Sequence, residues 1–107
     1  MSNKGWIGVD LDGTLAHYDH WRGVEHIGEP IPAMAETVRR WLVQGKDVRI
    51  FTARLCNKGA RKYIRRWCKT FIGCVLPITN KKDRFMIELY DDRAYHVVHN
   101  EGRVIRP

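Results

Sequence analysis

Two carboxylates set one residue apart, Asp10 and Asp12, close a short apolar run, Trp6-Ile7-Gly8-Val9, and lead into Gly13 and Thr14. A second acidic pair, Asp91-Asp92, closes another run, Met86 to Tyr90, and is followed by Arg93. Between them Thr52 closes a third run, Val48-Arg49-Ile50-Phe51, and continues into Ala53-Arg54. Lys81 and Lys82 stand just ahead of the run at Met86. If these ends meet, four carboxylates, a hydroxyl and an ammonium group share one pocket. Crowded carboxylates repel one another, and a divalent cation relieves that repulsion. Mg2+ suits such a place because it takes few carboxylates and completes its shell with water and phosphate oxygens. The lysine then offers a second positive charge to a phosphate dianion. Each feature alone is ordinary: a threonine in a strand, an acidic turn, or a DxDG loop that lacks the closing Glu of a calcium-binding loop. Their weight comes from occurring together.

The elements that must position these residues follow from the pattern of apolar side chains. A short apolar run closed by carboxylates and glycine reads as a buried strand feeding a loop. The loop from Ala16 to Pro30 is long for a compact domain, which fits a functional flap; it holds Tyr18 and Trp21 with three histidines, His17, His20 and His26. Pro32 opens a helix with Ala35, Val38, Trp41 and Leu42 at helical spacing, and Gly45 stands where a C-terminal cap belongs. Val48–Thr52 reads as a strand, Lys58–Thr70 as a second helix, and Cys74–Leu76 as a short strand stopped by Pro77. Met86–Tyr90 is a further strand, and a last one at Tyr95–Val98 pairs with Val104-Ile105 across Asn100-Glu101-Gly102. Alternating strands and helices predict an α/β fold with a mainly parallel sheet of about five strands. In such sheets ligands bind beyond the carboxyl ends of the strands, where the polar residues above all fall.

The 107 residues allow one domain, 1–107. The 44% hydrophobic and 29% charged residues exclude a disordered chain. No apolar run reaches the length of a membrane span, and Asp10 and Asp12 interrupt the first apolar run before it reaches the length of a leader, so a cytoplasmic location without membrane association is expected. Cys56, Cys68 and Cys74 form no CxxC pair and read as reduced thiols rather than zinc ligands. A net charge of +7, from 19 Lys and Arg against 12 Asp and Glu, favours anionic partners. Lys58, Arg61, Lys62, Arg65 and Lys69 line one side of the second helix, and Tyr18 and Trp21 could stack on a base.

The motifs DLDGT at Asp10–Thr14, Thr52 in FTAR, a lysine upstream of Met86 and the pair Asp91-Asp92 resemble, in order, those of the haloacid dehalogenase-like superfamily, mostly Mg2+-dependent phosphatases and phosphotransferases. The resemblance implies a Rossmann-like three-layer sandwich. It makes Asp10 the nucleophile that becomes an aspartyl-phosphate and Asp12 the general acid and base. Thr52 and Lys82, or Lys81 in its place, become the groups that hold phosphate. Asp10, Asp12 through its carbonyl, Asp91 and Asp92 become the Mg2+ ligands. Gly13, Ala53, Arg54 and Arg93 flank these motifs and complete the substrate-binding set. Neither Leu15–Pro32 nor Thr52–Lys81 has room for the cap domain common in that superfamily, so an open pocket is expected, with dimerisation as one way to cover it. DLDGT without a cap, together with YDDR, is also similar to the 3′-phosphatase domain of polynucleotide kinases, whereas the GxxxxGK[ST] of a kinase is absent. The implied activity is hydrolysis of a phosphomonoester, with a nucleotide or nucleic-acid end as substrate. A phosphotransferase and a non-catalytic nucleic-acid-binding module are the alternatives.

Overall fold

Trp6–Asp10 (β1) is buried almost throughout, as a strand with a parallel partner on each side should be. The computed structural model describes residues 5–106. Its other elements are α1 (Pro32–Val43), β2 (Asp47–Phe51), a 3-10 turn (Ala53–Cys56), α2 (Ala60–Phe71), β3 (Ile78–Thr79), β4 (Met86–Tyr90), β5 (His96–Val97) and β6 (Val104–Ile105). The main sheet has four parallel strands in the order β3-β2-β1-β4. β5 and β6 form a separate antiparallel hairpin. The sheet is thus one strand smaller than expected, because the last predicted strand pairs only with β6.

The two crossovers β1-α1-β2 and β2-α2-β3 step in the same direction. A right-handed connection then sends both helices to the same face. Ile7, Val9, Val48, Ile50 and Ile78 alternate onto that face and join Ala35 and Val38 of α1 and Ile64, Trp67 and Cys68 of α2 in a single core. The three-layer expectation therefore gives way to two layers. On the opposite face Trp6 is buried under the Arg49 guanidinium, 4.7 Å from its ring centre, and its indole N–H donates to Asp83 at 2.9 Å. A short segment, Asn80–Phe85, crosses there where a third helix would otherwise lie.

Helix α1 ends as its sequence implies. Gly45 adopts φ +79°, its N–H reaches the carbonyl of Leu42 and that of Lys46 reaches Trp41, closing a Schellman turn. The strand expected at Cys74–Leu76 instead forms beyond Pro77. The carbonyls of Pro77 and Thr79 accept from the N–H groups of Ile50 and Thr52. Proline is tolerated because β3 is an edge strand, which needs no donor on its outer side. Cys68 is a core group, its thiol pushed up to about 11 by burial. Among the described residues no helix is long and apolar enough to cross a membrane, and no folded domain covers the strand ends.

The core and the edge should respond differently to truncation. Ile64→Ala, at a fully buried position, is expected to cost about 2–5 kcal/mol in denaturant unfolding. Ile87→Ala, at a half-exposed position on β4, is expected to cost about 1 kcal/mol or less. Equal losses would contradict the one-sided core.

Candidate functional site

The strand order turns at β1, with β2 to one side and β4 to the other, and a crevice opens at the carboxyl ends at such a reversal. A cavity of about 430 Å3 lies there, lined by Asp10, Asp12, Thr52, Ala53, Arg54, Asp91, Asp92 and Arg93 of the expected set. Val9 pairs with Tyr90, so the next residues, Asp10 and Asp91, emerge side by side. Oxygens of Asp10, Asp91 and Asp92 all lie within 4.8 Å of one another.

The turn after β1 is built to hold this trio. Gly13 has φ +90°, and a Cβ there would lie 2.6 Å from a carboxylate oxygen of Asp92, so only glycine lets the turn approach so closely. Thr14 completes the grip: its hydroxyl donates to Asp92 Oδ1 at 3.0 Å and accepts from the Asp92 N–H at 3.0 Å. Gly13 is therefore a spacer for Asp92. Asp91 accepts from the N–H of Arg93 at 2.8 Å. The Asp10 carboxyl is pushed up to about 7, first by burial, then by the charge of Asp91 and by a hydrogen bond with Asp92 and its charge. Hard oxygen donors that cannot comfortably all be charged are a fit for a hard divalent cation such as Mg2+.

Arg54 and Lys82 do not take their expected places, and Asp12 holds a place apart from the trio. Asp12 lines the cavity but its carboxylate stands outside the trio. It is held by Arg54, whose Nε and Nη2 reach its two oxygens at 2.7 and 2.9 Å. Arg54, expected to meet substrate, is 4% exposed and also donates to the carbonyls of Val24 and His26, with the Trp21 ring 4.9 Å from its guanidinium. Four of its five N–H donors are thus committed to Asp12 and to the flap. Lys82 and Lys81 are exposed and do not line the cavity. The reason is the missing third helix: the chain leaves β3 at the carboxyl edge and by Asp83 is already bonded to Trp6 at the opposite end of β1. Arg93 is the cation that lines the cavity without an acidic partner among the described residues.

Thr52 follows β2 and caps the 3-10 turn, its hydroxyl accepting from the Arg54 N–H at 3.1 Å, which leaves its hydrogen for an oxygen in the cavity. The Ala16–Pro30 flap is an Ω-like loop zipped at its base, where His17 N–H reaches Glu29 O and Ile31 N–H reaches Leu15 O. Trp67 of α2 pins it through Gly28 O at 2.8 Å, and Tyr18 and Trp21 reach the cavity wall. Phe51 and Asn57 also line the cavity. Sequence reasoning passed over both, and over the Thr14 grip; only the T of DLDGT signalled the last.

No protein-family model matches the chain, and no curated protein matches it. Its fold is similar to the structure of a conserved protein from Bacteroides thetaiotaomicron, with 24% identity, a TM-score of 0.65, and coverage of 86% of this chain and 78% of that one. A likeness at this identity bears on the fold alone.

The raised Asp10 carboxyl sets a pH dependence. Between its ordinary value of 3.8 and about 7 the folded state keeps a proton that the unfolded state releases. Stability without divalent cation therefore falls as pH rises through that window. Asp10→Asn removes the effect, so thermal melts should show the variant about 5 °C or more above the parent at pH 8, with the gap closing toward pH 4. A gap independent of pH would contradict the crowding. Arg54→Lys, which keeps the charge and loses the fork, is expected to speed protease cleavage within Ala16–Pro30 at least tenfold.

Proposed function

We propose that this chain is a Mg2+-dependent phosphomonoester hydrolase, working through an aspartyl-phosphate as the haloacid dehalogenase-like motifs imply. The observation that carries the reading is the meeting of Asp10, Asp91 and Asp92 at the floor of an open cavity, with the Thr52 hydroxyl on its wall. Asp10, Asp91 and Asp92 would hold the cation, which when bound supplies positive charge against the substrate's phosphoryl oxygens and lets two anions approach.

The residues divide the rest of the work. The Asp10 carboxylate attacks phosphorus, the ester P–O bond breaks, the leaving oxygen takes a proton from solvent to depart as the alcohol, and the phosphoryl group stays on Asp10. Water then attacks the phosphorus of the acyl phosphate, Asp12 takes its proton, and the bond from phosphorus to the Asp10 oxygen breaks, releasing phosphate and restoring the Asp10 carboxylate. Arg54 forks onto both Asp12 oxygens, and each keeps a lone pair to accept that proton. Thr52 donates to a phosphoryl oxygen. Arg93 takes the part expected of a lysine, supplying charge to the phosphoryl group from the β4 side.

The test is release of phosphate from an aryl phosphate, whose leaving group needs no acid. Turnover with Mg2+ is expected, lost with chelator and reduced at least 1,000-fold in Asp10→Asn, with circular dichroism unchanged. Arg93→Ala is expected to raise KM about tenfold. Turnover persisting in Asp10→Asn, or none by the natural chain with Mg2+, would overturn the reading.

A further inference from the structure

The charge of this chain is segregated. From Val48 to Lys82 it carries ten Lys and Arg and no Asp or Glu; the remainder carries nine Lys and Arg against twelve Asp and Glu. The whole positive excess therefore lies in one segment, the one that forms β2, α2 and β3. A second hollow, of about 530 Å3, is lined by Lys58, Arg61, Lys62 and Arg65 together with Asn57, which also lines the cavity at Asp10. Arg61 and Arg65 then border a third hollow beside Val75 and Pro77. The three hollows form one track from the acidic trio along α2.

None of these four cations has an acidic partner among the described residues. Arg61 is tied to the carbonyl of Ile78 at 3.1 Å, whereas Lys62 and Arg65 are exposed. At the other end of the track, Tyr18 and Trp21 stand on the cavity wall, 43% and 47% exposed. Unpaired cations in a row, next to exposed aromatic rings, match a partner with repeating negative charge and flat rings. A small phosphate ester would leave most of this track empty.

We propose that the partner is a single-stranded nucleic acid that lies along the α2 track with its terminal phosphate toward Asp10. This rests on the phosphomonoesterase reading for what happens at the terminus, but the track itself needs no catalysis. The cations follow the backbone, and Tyr18 and Trp21 take a terminal base by stacking.

Fluorescence anisotropy with a labelled 12-nucleotide single-stranded DNA, in chelator so that nothing turns over, tests the track. Binding is expected to weaken steeply with salt, by about 0.7 in log K per log unit of salt for each phosphate contacted. Lys62→Ser/Arg65→Ser should raise Kd about tenfold at low salt. Arg40→Ser/Lys46→Ser removes the same charge away from the track and should change Kd less than twofold. Equal weakening by both pairs, no binding, or binding to phosphatidylserine vesicles but not to the strand would each overturn the proposal. Strand binding that follows the α2 pair, with no aryl phosphate turnover, would support the track and overturn the hydrolase reading instead.

Discussion

Three carboxylates held within 4.8 Å of one another cannot all carry charge without a counter-ion, and this structure is arranged to keep them there. The parallel register of β1 and β4 sets Asp10 beside Asp91. The glycine turn and the Thr14 hydroxyl press Asp92 onto the pair. The chain thus accepts a local electrostatic cost at the end of β1, a strand paired on both sides. That cost shows as the Asp10 carboxyl pushed up to about 7. Carboxylates so placed are poised for a cation, and the nucleophile proposed at Asp10 is freed to react once the repulsion is relieved.

A second constraint is the buried guanidinium of Arg54. Arg54 comes from the turn after β2, yet it fixes Asp12 after β1 and two carbonyls of the flap. One side chain thereby couples the base proposed for hydrolysis to the loop that walls the cavity. The planar fork matters, because an ammonium group cannot meet both Asp12 oxygens and two carbonyls at once. Moving the flap would disturb the hold on Asp12.

Much of this could be read from the residues. The apolar runs, the proline and glycine at the ends of α1, and the hairpin at Tyr95–Ile105 report local preferences that tertiary contacts did not overrule. The acidic trio was legible because parallel strands bring their carboxyl ends together, so a carboxylate closing each run is enough. What could not be read depends on how elements pass one another. Pro77 hid β3 because its edge position was unknown. Lys82 was misplaced because the length of Asn80–Phe85, too short for a helix, carries the chain away from the site. Arg54 looked like a phosphate ligand because its partner, Asp12, lies 42 residues away in sequence. The single-sided helix layer follows from the strand order, which no local pattern states.

The open cavity and the basic track belong to the same economy. Among the described residues no element covers the strand ends, and the charge proposed to guide a nucleic-acid strand lies beside them along α2. All of this turns on whether the trio is a cation site. The most direct measurement is anomalous scattering from crystals soaked in Mn2+ at pH 8, with Asp10→Asn alongside. The account predicts one strong peak among the carboxylates of Asp10, Asp91 and Asp92, lost or much weakened in the variant. No peak there at saturating Mn2+, or an equal peak in Asp10→Asn, would contradict it.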